Sequence, residues 1–346
     1  MILLTGATGL VGTALLRRLT AEGESVRCLV RDPRRLGTER VRVQIALGDL
    51  ADPQSFRHAL RGVSTVVHLA ASIRDQPSGS IEELNGVATW RMVRAAERAG
   101  VGKFVFFSAL QASTRSRARF FRAKALAERA VVESSLRHTI FAPSIVYSPG
   151  DPWLRLLERM SLLPVMPIAG SGRAAFQPIW AEDVADCVMA ELHGKGDGRQ
   201  RYELAGPDTL TYDDIVELVL RSLGRRRPLV HVPLPVVRAS LRVVGVLFGQ
   251  TAFATWDEAE LMEVPMTTAS GTADAERLGV VPKPMQAVLG VVIGTSISSA
   301  SSQVAKAACP NSASTARREA RTMGSGTWTS GRRRPSDRRT SSTMSS

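Results

Sequence analysis

The sequence predicts an α/β fold: a doubly wound parallel sheet, then a smaller C-terminal α/β lobe, then a disordered tail. Three observations carry this. Short apolar runs alternate with helix-period stretches through the first half of the chain. A glycine-rich loop, "TGATGLVG" at 5–12, joins the first such run to the first such stretch. After about residue 290, patterned apolar runs largely disappear. Strands alternating with helices imply a parallel sheet covered on both faces, and near-continuous apolar strands fit burial on both sides.

The strand-like runs are 2–4 (ILL), 26–30 (VRCLV), 41–45 (VRVQI), 65–69 (TVVHL), 103–107 (KFVFF) and 138–142 (HTIFA). The first helix is expected over 10–21, where Val11, Ala14, Leu15 and Leu19 share a face. A second spans 81–99, with Leu84, Val87, Met92, Val93 and Ala96. From 145 the pattern loosens into turn-rich "SPGDP" and "PVMPIAGSGR". Helix 181–193 follows, then a strand at 201–205. Thr211 and Asp214 resemble a capping box opening helix 212–223, and "RPLVHVP" reads as one more short strand. The expected division is a nucleotide-binding domain over 1–150, with 178–196 returning to it. A substrate lobe covers 151–177 and 197–290, and a basic Ser/Thr-rich tail covers 291–346.

Of the last 56 residues 21 are Ser or Thr, too polar a composition to offset ordering entropy, hence the expected disorder. So abrupt a change also fits a frame-shifted or read-through end. The tail holds nine Lys/Arg against two Asp/Glu, so about half of the net charge of +13 sits there; 1–290 carries 36 against 30. That body shows no basic stripe with interleaved aromatics, so no nucleic-acid partner is expected. Cys28, Cys187 and Cys309 are widely separated, which argues against a disulfide framework or a zinc site and suits a reducing cytosol. "MILLTGATG" has no basic leader, so no secretory signal is expected. The apolar run in 235–256 is too short to span a bilayer, and Arg238 and Arg242 interrupt its approach. It reads as a buried or partly buried helix, with membrane-surface or complex association as the alternative.

The glycine loop carries the strongest functional signal. Gly6 permits a tight turn, Gly9 lets the backbone approach a pyrophosphate, and Gly12 lets helix and strand pack closely. The helix N-terminus offers free N–H groups to the phosphates. The alternative is a turn that only joins two packed elements. The second strand ends "LVRDPRR": Arg31 stands where an NAD-selective site places a carboxylate, and a guanidinium can hold a 2′-phosphate. NADP(H) is therefore the expected cofactor and NAD(H) the alternative, since Asp32 is adjacent. In "GDLAD", Asp49 can accept from an adenine amino group while Leu50 covers the ring; a simple turn is the competing reading.

Taken in order over about 1–290, these pieces resemble the short-chain dehydrogenase/reductase superfamily in its extended or atypical branch. "VVHLAA" at 66–71 is similar to the family's fourth-strand motif, "LNGVAT" to its Asn-containing helix motif at Asn85, and "PIWAEDVADCV" to a later motif containing Asp183. "YELAGPDTLTYDDIVELVLRSLGR" is similar to NmrA-like proteins and to relatives of the nucleotide-binding accessory subunit of respiratory complex I. The resemblance implies a Rossmann domain with a small C-terminal lobe. It also implies cofactor contacts at Gly6, Thr8, Gly9, Leu10, Val11, Gly12, Arg31, Asp49, Leu50, Leu69, Ala70, Ala71, Lys124 and Pro143. Ser108 falls where the family's catalytic Ser/Thr tends to lie. The family's reaction centre is Y-x-x-x-K, in which the lysine holds the nicotinamide ribose and lowers the tyrosine's pKa, and the tyrosine moves a proton. Lys124 is present, but four residues earlier stands Phe120, which has no ionisable hydrogen.

Of the three tyrosines only Tyr147 lies in "APSIVYSPGD" at 142–151, a stretch that resembles the family's segment lining the nicotinamide pocket, so the resemblance makes it the one stand-in, against a plain packing role. Ser108 could orient a carbonyl. Lys124 could donate a proton if burial lowered its pKa, against a purely structural ribose contact. His68 reads as a satisfied core residue. The expected function is an NADP(H)-dependent oxidoreductase acting on a carbonyl or quinone-like small molecule in the cytoplasm. The alternative is a non-catalytic redox sensor or a structural subunit of a larger complex.

Overall fold

The computed structural model describes residues 1–196, 200–237, 239–240 and 256–294. All of them belong to one unit, Met1–Ser296. The expected doubly wound sheet is present. In chain order come β1 (Ile2–Thr5), α1 (Leu10–Ala21), β2 (Val26–Val30), β3 (Gln44–Leu47), α2 (Pro53–Phe56), β4 (Thr65–His68), α3 (Ala88–Arg98), β5 (Lys103–Phe107), α4 (Arg119–Val132) and β6 (Arg137–Pro143). All ladders of the main sheet are parallel, in the order β6-β5-β4-β1-β2-β3 from one side. The chain winds outward from β1 through β2 to β3, then returns to β1's other side with β4. This reversal leaves a crevice at the carboxyl ends of β1 and β4, where open α/β sheets bind ligands.

Alternate strand residues feed two cores, as the pleat requires. Val67, Val105 and Phe107 pack with α1, while Val66, Phe104, Phe106 and Ile140 pack with α2, α3 and α4. The third strand begins three residues later than its apolar pattern suggests. Asp32 accepts a hydrogen bond from the Arg34 N–H and Pro33 follows, so 33–41 forms a tight helical stretch, kinked at Gly37, that consumes Val41.

After β6 come β7 (Val146–Tyr147), α5 (Pro152–Met160), β8 (Met166–Ala169), β9 (Ala175–Phe176), β10 (Ile179–Trp180), α6 (Ala181–Leu192), β11 (Arg201–Leu204), β12 (Leu210–Thr211), α7 (Tyr212–Ser222) and β13 (Leu229–Val232). Helix α6 packs beside α1, with Val184, Ala185 and Val188 in the same core and Arg18 of α1 paired to Glu182 and Asp186. Strand β11 lies within the stretch expected to form the lobe, yet it completes the main sheet beside β6. Tyr202 stacks on Phe141 with ring centroids 5.6 Å apart, so its apolar side chains belong to the sheet's core. The lobe has its own core, including Phe121, Tyr147, Leu157, Phe176, Ile215, Val219 and Leu289. Three two-stranded pairings build it: β7–β10, β9–β12 and β8–β13. The expected capping box is present, with Thr211 and Asp214 bonding reciprocally at the start of α7.

Among the described residues no helix is long and apolar enough to cross a membrane. Most of 235–256, and the tail from 295 onward, lie outside the described residues.

Candidate functional site

The glycine loop lies at the mouth of the crevice. Gly6 has φ +72°, and a side chain there would place Cβ 2.6 Å from the Ala70 nitrogen and 2.8 Å from the Leu69 carbonyl carbon. Glycine is thus required twice, by conformation and by the backbone that follows β4. At Gly12 a Cβ would come 2.1 Å from the Gly6 carbonyl oxygen, which is the close packing its spacing implies. Gly9 has only that same carbonyl nearby, at 3.3 Å. Helix α1 begins after Gly9 with no side-chain cap, because glycine supplies none and Thr13 Oγ1 turns back to the Gly9 carbonyl at 2.8 Å. The first-turn N–H groups, those of Leu10, Val11 and Gly12 among them, have no intrahelical acceptor and face the crevice end with a positive dipole. Thr8 is half-buried beside them. This cradle fits a pyrophosphate.

Arg31, just past β2, is half-exposed and donates from Nη1 to Gln76 Oε1 at 3.0 Å. The same Nη1 lies 3.9 Å from Asp49 Oδ2. Asp32 is occupied as the cap of 33–41. Asp49 Oδ1 accepts from the Ala51 N–H, so the "GDL" carboxylate both closes its own turn and faces Arg31; Leu50 is half-buried next to it. Beyond β4, Leu69 and Ala70 are half-buried and Ala71 is exposed. Asn85, buried on the helical turn before α3, is fully used: it donates to the Ser72 and Ile81 carbonyls and accepts from the Ser72 N–H. It staples the loop that begins at residue 69.

Lys124 and Phe120 share one face of α4, a turn apart, as their spacing predicts. The lysine is 3% exposed; Nζ donates to the Phe107 carbonyl at 2.6 Å and lies 5.0 Å from the Phe106 ring centroid and 5.7 Å from that of Phe120. Burial lowers its pKa to about 7, with Glu128 opposing the shift. Ser108 follows Phe107; its hydroxyl is buried and has no partner among the described residues. Tyr147, on β7, is fully buried within the lobe's core, its hydroxyl is likewise unpartnered, and burial raises its pKa further above the usual phenol value. Pro143 ends β6, where its carbonyl accepts from the Leu110 N–H at 3.2 Å. His68 is enclosed between Thr5 Oγ1 at 2.8 Å and Thr89 Oγ1 at 3.0 Å, and burial, with the Lys124 charge, lowers its pKa to about 3. Both ring nitrogens are satisfied in the core, as expected of a lone histidine on a strand.

Two features were not legible in the sequence. Gln76 carries no motif, yet it holds Arg31. Arg119, the residue before Phe120, pairs with Asp75 at 3.0 Å and Glu82 at 2.7 Å and lies 3.6 Å from Asp257. Three separate loops and helices supply those carboxylates, so no local pattern could announce them.

A family model described as NAD(P)H-binding matches residues 6–164. The chain is 29% identical over 250 residues to the Arabidopsis thaliana protein "NADH dehydrogenase [ubiquinone] 1 alpha subcomplex subunit 9, mitochondrial". That match covers 68% of this chain and 60% of the relative, so the chain spans less than two thirds of that protein's length. It is 31% identical over 257 residues to "Sterol demethylase protein B" of Methylococcus capsulatus, covering 67% of this chain and 77% of that one. Among solved structures, MoeE5 in complex with UDP-glucose and NAD superposes with a TM-score of 0.67 at 21% identity, covering 86% of this chain and 99% of that one. This last likeness is one of fold.

Proposed function

The chain belongs to the short-chain dehydrogenase/reductase superfamily, in its extended and atypical branch, and from that premise we propose that it is an NADP(H)-dependent oxidoreductase whose preferred substrate is quinone-like. The observation that carries this reading is the pairing of an open phosphate cradle with a reaction centre that has a lysine and no tyrosine. Bound in the crevice, the cofactor supplies or accepts a hydride. The chain's residues do the rest. The N–H groups after Gly9 would bind the pyrophosphate, Arg31 would hold the 2′-phosphate, and Lys124 Nζ would hold a ribose hydroxyl. Arg31 favours the phosphate-bearing cofactor because Asp32, the adjacent carboxylate, is turned into a helix cap and is not free to take ribose hydroxyls.

The substrate class follows from proton demand. Hydride addition to a simple ketone leaves a strongly basic alkoxide, which needs a positioned acid; Phe120 cannot be one. Hydride addition to a quinone leaves a phenolate-type anion, whose conjugate acid has a pKa of about 10, as for tyrosine, and which tolerates slow protonation. The Ser108 hydroxyl, buried and unpartnered among the described residues, would donate a hydrogen bond to that oxygen. Lys124, near neutrality and held at Nζ by the carbonyl of Phe107, the residue before Ser108, would be the group able to release or take a proton. The test is turnover by the full chain, with NADPH or NADH and either a short-chain benzoquinone or an aliphatic ketone. The reading expects quinone reduction with NADPH to exceed all other combinations.

A second reading, a non-catalytic nucleotide-binding subunit or redox sensor, is favoured by the same Phe120 and by the Arabidopsis relative's name as part of an NADH dehydrogenase. Tight cofactor binding without turnover on either substrate supports it, and 235–256 would then be its docking segment.

A further inference from the structure

We infer that Gln76 is a positioning residue for cofactor selection: it aims the Arg31 guanidinium so that its open edge faces a 2′-phosphate. The inference rests on the NADP(H) reading above. Its basis is a directional hydrogen-bonded relay. Arg31 Nη1 donates to Gln76 Oε1 at 3.0 Å, Gln76 Nε2 donates to Ser72 Oγ at 3.0 Å, and Ser72 Oγ donates to the Arg74 carbonyl at 2.6 Å. Every donor in the series meets an acceptor. The relay is anchored at depth, because the Ser72 N–H donates to Asn85 Oδ1 at 3.1 Å and Asn85 is 1% exposed. The Gln76 backbone is fixed as well: its N–H and carbonyl exchange two 3.0 Å hydrogen bonds with Gly79.

The consequence is geometric. Among the described residues, both polar contacts of Arg31, to Gln76 and to Asp49, fall on Nη1. The Nε–Nη2 edge of the fork is left over, and that edge presents two parallel N–H donors, the arrangement a phosphate takes bidentately. An arginine this exposed would otherwise spread over many rotamers and lose side-chain entropy on binding. Held by Gln76 it is oriented beforehand, and holding a group in place raises affinity without a new ligand contact. Asn85 thereby acquires a part in cofactor choice at one remove, through the loop it staples.

The test is calorimetric titration of the full chain with NADPH and with NADH, for the wild type, Gln76→Leu, Arg31→Leu and the double variant. Gln76→Leu is expected to weaken NADPH about five- to tenfold, the value of one orienting hydrogen bond, with NADH within about twofold and an unchanged melting temperature. In the Arg31→Leu background the same substitution is expected to add nothing. Unchanged NADPH affinity in Gln76→Leu, with a large loss in Arg31→Leu, would overturn the positioning role and leave the cofactor reading intact. A gain in NADPH affinity would make Gln76 a competitor for Arg31, and equal losses for both cofactors would make it a loop residue only; each overturns the inference. An Arg31→Leu variant with an unaltered NADPH-to-NADH ratio would remove the cofactor reading itself.

Discussion

Replacing Lys124 by methionine isolates the energetic consequence of burying an amine beneath two aromatic rings. In the folded chain its pKa falls to about 7, from 10.5 for a free amine, chiefly because burial penalises the charge. Between those values the unfolded chain binds a proton that the native chain does not, so stability rises with pH across that window. Below about pH 7 both states are protonated and the cost of burying the charge is present in full; above about pH 10 it has gone. The difference between the two limits is about 5 kcal/mol, or about 1.4 kcal/mol for each pH unit inside the window. Lys124→Met has no such titration. Urea unfolding of the cofactor-free wild type and variant should therefore diverge: the wild type gains on the variant steadily from about pH 7 to about pH 10. Cys28, which burial pushes up to about 12, titrates alike in both chains and cancels; His68, held near 3 by burial and in part by the Lys124 charge, does not cancel, but it titrates below this window. Parallel stability curves over the whole range would refute the buried, near-neutral lysine and, with it, any proton-transfer role for Nζ.

Two further outcomes follow from the site. Gly12→Ala forces a methyl group to within 2.1 Å of the Gly6 carbonyl, so α1 must shift; the expected cost is about 1–3 kcal/mol of stability, as for overpacking, read as a lower melting temperature together with loss of NADPH binding. Phe120→Tyr places a hydroxyl one helical turn from Lys124 and should raise turnover on an aliphatic ketone by up to the roughly 100- to 10,000-fold that a positioned acid supplies, while quinone turnover changes little; no gain on the ketone would mean that the pocket has diverged at more than this position.

The parts of the fold that the sequence announced are those set by local physics. Strands β1, β2 and β5 follow from apolar runs buried on both faces, and the Thr211–Asp214 box from a four-residue pattern. Gly6 and Gly12 are placed by spacing, though only the structure adds that Gly6 also makes room for Leu69 and Ala70. What stayed hidden depends on long-range partners. The two-residue strands β7, β9, β10 and β12 exist only because each finds another across the lobe. Strand β11 joins the main sheet because Tyr202 finds Phe141. The start of β3 moves because Asp32 caps the segment before it, a competition between turn chemistry and β-propensity that an apolar pattern does not register. In the site, the four-residue spacing that puts Phe120 and Lys124 on one face of α4 was readable. The burial of Lys124 against the Phe107 carbonyl, the enclosure of Tyr147 and the hold of Gln76 on Arg31 were not, since each joins residues brought together only by the winding of the sheet.

The most direct test of the central claim is calorimetric titration of the full chain with NADPH, NADP⁺, NADH and NAD⁺ under one set of conditions. The account predicts binding of the two phosphate-bearing cofactors with clear preference over their counterparts, because the proposal gives the 2′-phosphate to Arg31 while Asp32 caps the segment after β2. Binding of none of the four, or tighter binding of NADH than of NADPH, would contradict it: the first would reduce the glycine cradle to packing, and the second would remove the selectivity assigned to Arg31.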